Sequence, residues 1–169
     1  MNSATKQPRI TRRLRLAGLC GVMLFAWAGP LWAPPSPGWC KNNTFLTPVS
    51  NLSFGTFSSN TTGVVNVNVN GIRTFTGDII LLGGTVSQAV LNISGCPNYL
   101  YSIIIPPDSV LTNGANTMAL TTFTSFPVGS GVLDVNGAGV LQFGASLTVG
   151  YPQLGGPYTG TYTVEIIVQ

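Results

Sequence analysis

Apolar and polar positions alternate with a period of two along most of this chain. Val65, Val67 and Val69 interleave with Asn66, Asn68 and Asn70. Leu141, Phe143, Ala145, Leu147, Val149 and Tyr151 interleave with Gln142, Gly144, Ser146, Thr148 and Gly150. Successive side chains of a strand point to opposite faces, so each run predicts a strand that is apolar on one side and wet on the other. Shorter runs at 52–57, 79–82, 86–94, 99–105 and 132–135 predict further strands, and Met118 and Leu120 mark another. Phe123 is out of phase with that pair, which predicts a bulge near Thr121-Thr122. The most regular run is the last. From Tyr158 to Val168 it sets Tyr158, Gly160, Tyr162, Val164, Ile166 and Val168 on one face and Thr159, Thr161, Thr163 and Glu165 on the other, with Ile167 the apolar exception. It is expected to be a complete strand around which the others pack.

The runs are joined by turn chemistry. Asn70-Gly71 and Asn136-Gly137 are hairpin signals, and Pro106-Pro107-Asp108 ends a strand abruptly. No window shows a helical period. About nine short, evenly spaced strands with Gly and Asn turns predict an all-β, antiparallel β-sandwich. Its domain is expected to span residues 40–169, after a proline-rich linker at 29–39. The linker holds Pro30, Pro34, Pro35 and Pro37 and cannot be an interior strand. Its Trp32 and Trp39 either fold back onto the domain or mark a contact surface.

The first residues belong to a different class of segment. Lys6, Arg9, Arg12, Arg13 and Arg15 are followed by a short apolar run that ends in Ala26-Trp27-Ala28. Residues 1–28 therefore predict a secretory signal peptide cut to leave Gly29, with an uncleaved anchor as the competing reading. Thr11-Arg12-Arg13 hints at twin-arginine export, but Arg15 sits where that signal wants an apolar residue. The expected location is the bacterial cell surface or the medium, with the membrane met only during export.

Removing the leader changes the charge. The formal net charge of the whole chain is +3, yet only Lys41 and Arg73 remain against Asp78, Asp108, Asp134 and Glu165. The mature protein is mildly acidic, so nucleic acid is not an expected partner. Cys20 leaves with the leader. Cys40 and Cys96 are then an even pair in an oxidising compartment, and a structural disulfide is expected. The chain-entropy account credits such a long loop with roughly 4 kcal/mol.

The inventory of chemistry is thin. The chain contains no histidine, which removes a Ser-His-Asp arrangement and an imidazole metal site. A hydrolytic carboxylate pair would need two of the four acidic residues to meet in a cleft. Asp78, Asp108 and Asp134 sit at strand ends or turns, and Glu165 lies on the Thr-rich face. No Asp-x-Asp run supports a calcium site. No catalytic residue, cofactor, metal ligand or small-molecule substrate is expected. Asn42, Asn51, Asn60 and Asn92 begin Asn-x-Ser/Thr triplets, read here as surface polarity. A secreted glycan-binding module that stacks sugars on Trp32, Trp39, Tyr99 and Tyr101 is the alternative to a structural or adhesive role.

Several motifs follow one another in a recognisable order: 52–57 (Leu-Ser-Phe-Gly-Thr-Phe), 89–95, Gly131-Val132-Leu133-Asp134, 144–149 (Gly-Ala-Ser-Leu-Thr-Val) and 157–164 (Pro-Tyr-Thr-Gly-Thr-Tyr-Thr-Val). Together they resemble the bacterial domain of unknown function four-four-zero-two, from Val49 to Val168. That family looks like a relative of the spore-coat-U and chaperone–usher pilin domains. The resemblance implies an immunoglobulin-like sandwich, cell-surface assembly or adhesion in a pilus-like or biofilm-associated structure, and partners among other surface subunits or a periplasmic chaperone. It carries no catalytic residue, and a bond between Cys40 and Cys96 fits it. A polymerising pilin donates an N-terminal strand of alternating apolar residues to its neighbour. The proline-rich 29–39 segment cannot do so, and 41–49 is expected to form the first strand of its own domain. With a complete final strand and no vacancy opposite it, the mature domain is expected to be a soluble monomer.

Overall fold

This computed structural model describes residues 37–105 and 108–169. The expected leader with its expected cleavage site, Trp32 and the proline-rich stretch through residue 36 lie outside the described residues. A single helical turn, α1 (Pro37–Asn42), precedes β1 (Phe45–Ser50), β2 (Ser53–Val67), β3 (Arg73–Ser87), β4 (Ala89–Ser94) and β5 (Leu100–Ile104). Then follow β6 (Ser109–Asn113), β7 (Asn116–Phe126), β8 (Ser130–Val132), β9 (Ala138–Val149) and β10 (Glu165–Val168). Every strand pairing is antiparallel. The fold is all-β, as the alternation predicts.

The longest alternating apolar run becomes the centre. β9 sends Leu141, Phe143, Ala145, Leu147 and Val149 into the core, all nearly inaccessible to solvent. One of its edges is shared by two strands in succession: β4 pairs with residues 138–143 and β2 with residues 145–149. Its other edge takes β7, with β6 beyond. β1 adds to β4 and β3 to β2, which completes a seven-stranded sheet. A second sheet of three strands, in the order β10-β5-β8, belongs to the opposite layer. Between β4, β9 and this small sheet lies one part of the core, with Ile93, Tyr101, Leu133 and Phe143.

The other part of the core is covered differently, because the β2–β3 hairpin folds back on itself. The sequence predicts a strand around Val65–Val69 and separate short runs at 79–82 and 86–94. The structure instead joins the first two and the start of the third into one hairpin of 15 residues on each side, and β4 begins at Ala89. Laid straight, such a strand would span roughly 50 Å. Yet the tip, where Val67 pairs with Arg73, comes within reach of the root through one arginine side chain. The Arg73 guanidinium, beside the tip, donates to the carbonyls of Phe54 (2.8 Å), Gly83 (3.3 Å) and Thr56 (3.4 Å) near the root. The corner is the register slip between Ser59 and Gly63, opposite Gly77, which sits at φ 83°. A glycine is required there, since a side chain on Gly77 would meet the main chain of Thr62 and Gly63. Phe54 and Ile79 of the folded-back half pack onto Val65, Val67, Met118, Leu120 and Leu147.

Other local expectations are met or corrected. The bulge falls where Phe123 requires it: the register slips between Thr121 and Thr124, and Thr122 takes φ 51°. The Asn-Gly turns at Asn70 and Asn136 carry glycines with positive φ, Gly71 at 75° and Gly137 at 76°. α1 corrects the expectation of an extended linker through Trp39. Pro37 opens it, where a missing N–H has no partner to lose. Cys40 lies inside it, and Thr44 Oγ1 donates to the Cys40 carbonyl as it ends.

Candidate functional site

The last alternating run departs most from expectation. Only its end, β10, is laddered, to β5. Before it, residues 158–164 keep a period-two burial pattern, with Tyr158, Tyr162 and Val164 half-buried and the threonines exposed. Tyr162 packs its ring 5.2 Å from Phe123 and touches both parts of the core. The main-chain bonds of this run all leave from odd-numbered residues. Thr159 N–H donates to Thr112 O (3.0 Å) and Thr112 N–H to Thr159 O (2.7 Å). The Thr161 carbonyl accepts from Ser109 Oγ, and Gln169 N–H donates to Leu100 O.

In an extended chain, consecutive residues present their N–H and C=O groups to opposite edges. Tyr158, Gly160, Tyr162 and Val164 therefore aim theirs away from β6 and β5. Among the described residues, none of these groups has a main-chain partner. The alternation predicts a complete strand with no vacancy beside it, and the structure overturns that expectation. What lies beside this edge is a groove of about 1200 Å³.

The opposite wall of the groove is the folded-back half of β2, residues 53–59. There β2 is paired to β3 on one edge only, because β9 reaches no further than Gly63. Two extended segments, each with one edge that carries no ladder partner among the described residues, thus line the same groove. The floor includes Met118, Leu120, Leu147 and Val149. One end is bounded by Leu46 and Leu91 and the other by the loop that carries Gln153, Leu154, Gly155 and Gly156. That loop is fastened by Tyr158. Its hydroxyl accepts from Gln153 Nε2 (2.6 Å) and donates to the Leu154 carbonyl (2.8 Å). Among the described residues, no charged side chain lines the groove.

The residues singled out from the sequence are dispersed. Cys40 and Cys96 are joined by a disulfide and are fully buried, tying α1 to the turn between β4 and β5. Asp78, Asp108, Asp134 and Glu165 are all exposed, on four different elements or turns, and none lines the groove. Asp134 shapes the turn before β9. Its Oδ1 accepts the N–H groups of Ala138 and Asn136, each at 2.8 Å, and these bonds hold its carboxyl below the usual carboxylate range. No group of three or more His, Cys, Asp or Glu side chains among the described residues could hold a metal ion. Of the aromatics offered for sugar stacking, Tyr101 is buried in the core, and desolvation raises its pKa. Tyr99 is half-buried and Trp39 exposed. Asn42, Asn51, Asn60 and Asn92 are all exposed.

The family model described as Domain of unknown function (DUF4402) matches residues 45–167. The chain belongs to this family. The match runs from the start of β1 to within β10 and so contains both walls and the floor of the groove. No curated protein and no solved structure is similar enough to count as a match.

Proposed function

We propose that this DUF4402 chain is an exported, non-catalytic structural subunit of a pilus-like or biofilm-associated surface assembly, completed by a strand from another subunit. The observation that carries the reading is the groove lined by two extended segments, each with an edge that has no ladder partner among the described residues. An extended segment laid there would bond to the N–H and C=O groups of Tyr158, Gly160, Tyr162 and Val164. Its alternate side chains would fill the space above Met118, Leu120, Leu147 and Val149. In strand addition of this kind, main-chain bonds supply affinity and side-chain pockets supply specificity. The uncharged walls call for an uncharged segment. A basic leader and a disulfide suit export, and a periplasmic chaperone is the natural cover for an open apolar groove before assembly.

The test is to export residues 29–169 alone and together with an uncharged peptide of alternating apolar and Thr residues. Alone, the chain is expected largely in aggregates. The peptide should restore soluble protein and slow hydrogen exchange at Gly160, Tyr162 and Val164, while Thr159 stays protected throughout. A soluble monomer that binds no such peptide, and whose exchange at those three residues never changes, ends this reading.

A further inference from the structure

The chain contains three Asn-Gly pairs, at Asn70, Asn113 and Asn136. In such a pair the glycine nitrogen can attack the asparagine side-chain carbonyl carbon, because no side chain on the glycine shields it. The N–Cγ bond forms and ammonia leaves with Nδ2. Water then opens the five-membered imide, giving aspartate or, with the main chain rerouted through the side chain, isoaspartate. The step consumes one water, releases one ammonia and needs no other reactant. It does need a glycine N–H that water can reach and that no acceptor holds.

Exposure of the asparagines alone ranks Asn70 and Asn136 first, since Asn113 is half-buried. The glycines reverse the order. Gly71 N–H is held by the Asn68 carbonyl (2.9 Å) and Gly137 N–H by the Asp134 carbonyl (3.0 Å). A side chain on Gly71 would meet Gln88, and one on Gly137 the main chain of Gly95. Gly114 stands in open space at the tip of the β6–β7 hairpin, and no described main-chain bond engages its N–H. We propose that Asn113 is a site of spontaneous deamidation, and that its conversion unlatches the loop at one end of the groove.

The consequence follows from what Asn113 touches, and it rests on the strand-accepting reading only for its bearing on assembly. Asn113 Nδ2 donates to the Gly155 carbonyl (3.3 Å) in the groove-lining loop. A carboxylate in its place sets oxygen against oxygen. Isoaspartate also lengthens the main chain by one carbon, one residue from the Thr112–Thr159 pair that fixes the terminal run. The loop at Leu154 and Gly155 then opens that end of the groove to an incoming strand.

The experiment is to age the exported, disulfide-bonded protein at mildly alkaline pH and follow all three pairs by peptide mapping with isoaspartate detection. Asn113 is expected to convert several-fold faster than Asn70 and Asn136. Equal or faster conversion at either of those overturns the assignment. Hydrogen exchange on Asn113→Asp, which tests the loop without waiting for the chemistry, should rise several-fold at Thr112 and Thr159, whose N–H groups bond each other's carbonyls one residue away. Unchanged exchange overturns the latch. Peptide association is then measured on both forms. Several-fold faster association to Asn113→Asp supports the latch, and equal association to both overturns it while leaving strand acceptance intact. Binding to neither form defeats strand acceptance and leaves the deamidation result standing.

Discussion

Replacing Gly144 with alanine probes the point on which the whole arrangement turns. Gly144 is buried on β9 between Phe143, the last residue paired to β4, and Ala145, the first paired to β2. A methyl group there would collide with the Val67 carbonyl oxygen and stand 2.7 Å and 2.9 Å from the carbonyl carbon and Cα of Asn68. All three obstacles are main chain, so no rotamer change relieves them and the end of β2 must move away from β9. Overpacking in a close-packed core costs about 1–3 kcal/mol. With the main chain as the obstacle we expect the upper end, about 3 kcal/mol, which lowers Tm by roughly 10 °C for a domain of this size. The control is Gly155→Ala, where nothing lies within 4 Å and φ is ordinary. It should stay within about 0.5 kcal/mol of the parent. Denaturant unfolding of the oxidised proteins, followed by circular dichroism, measures both. If Gly144→Ala unfolds at the same denaturant concentration as Gly155→Ala, β2 is not seated against β9 as described, and the fold-back that builds the groove wall loses its anchor.

Two other expectations follow from the same structure. Intact mass of freshly exported protein should show no free thiol at Cys40 or Cys96, and Cys96→Ser should cost about 2–4 kcal/mol in unfolding; two free thiols would refute the first and a neutral substitution the second. Asp134 has a folded pKa below the ordinary value of 3.8, so its stabilising effect is present above the unfolded pKa and is lost as pH falls through the folded one. An asparagine at this position would keep the turn-forming oxygen without that titration, so Asp134→Asn should lose less stability than the parent between neutral and strongly acid pH, and equal losses in denaturant midpoint would count against the assignment.

How much of this was legible in the sequence depends on what alternation reports. It reports which face each side chain takes, and there pattern and structure agree: the inward set of β9, the bulge at Thr121-Thr122 and the Asn-Gly turns all stand where the pattern places them. Alternation is silent on which edge pairs with what. Residues 158–164 alternate as cleanly as β9 does, yet among the described residues one of their edges has no strand beside it. The same silence hid the fold-back. Gly77, Gly83 and Gly84 flank the apolar run at 79–82, and all three take positive φ inside β3, where they let one hairpin bend. Arg73 gave no local signal either, because its acceptors at Phe54 and Thr56 lie far back along the chain and come into reach only after the bend.

The treatment of strand edges bears on which of them is built to receive a partner. An exposed edge is a template for another chain, and folded proteins blunt it with bulges, prolines or charge. β3 is an edge of the larger sheet and is interrupted by Gly77, Gly83 and Gly84, with the exposed Asp78 at its corner. β1, the edge beyond β4, carries Pro48, which lacks an N–H, and its register slips between Pro48 and Ser50. β8, at the rim of the small sheet, is only 3 residues long. The groove-side edge of residues 158–164 has none of these devices. It holds no proline or charge, takes no positive φ, and lies beside apolar side chains that a further strand would cover. A domain meant to remain alone gains nothing by protecting three edges and leaving flat the one that borders its own core. That asymmetry favours strand acceptance over a closed monomer, and it predicts where a blocking change should act. Tyr162→Pro removes a groove-facing donor and should abolish peptide association, whereas Phe75→Pro, at a residue whose N–H points to the open edge of β3, should leave it unchanged. Equal loss in both variants would show that the edges are not functionally distinct.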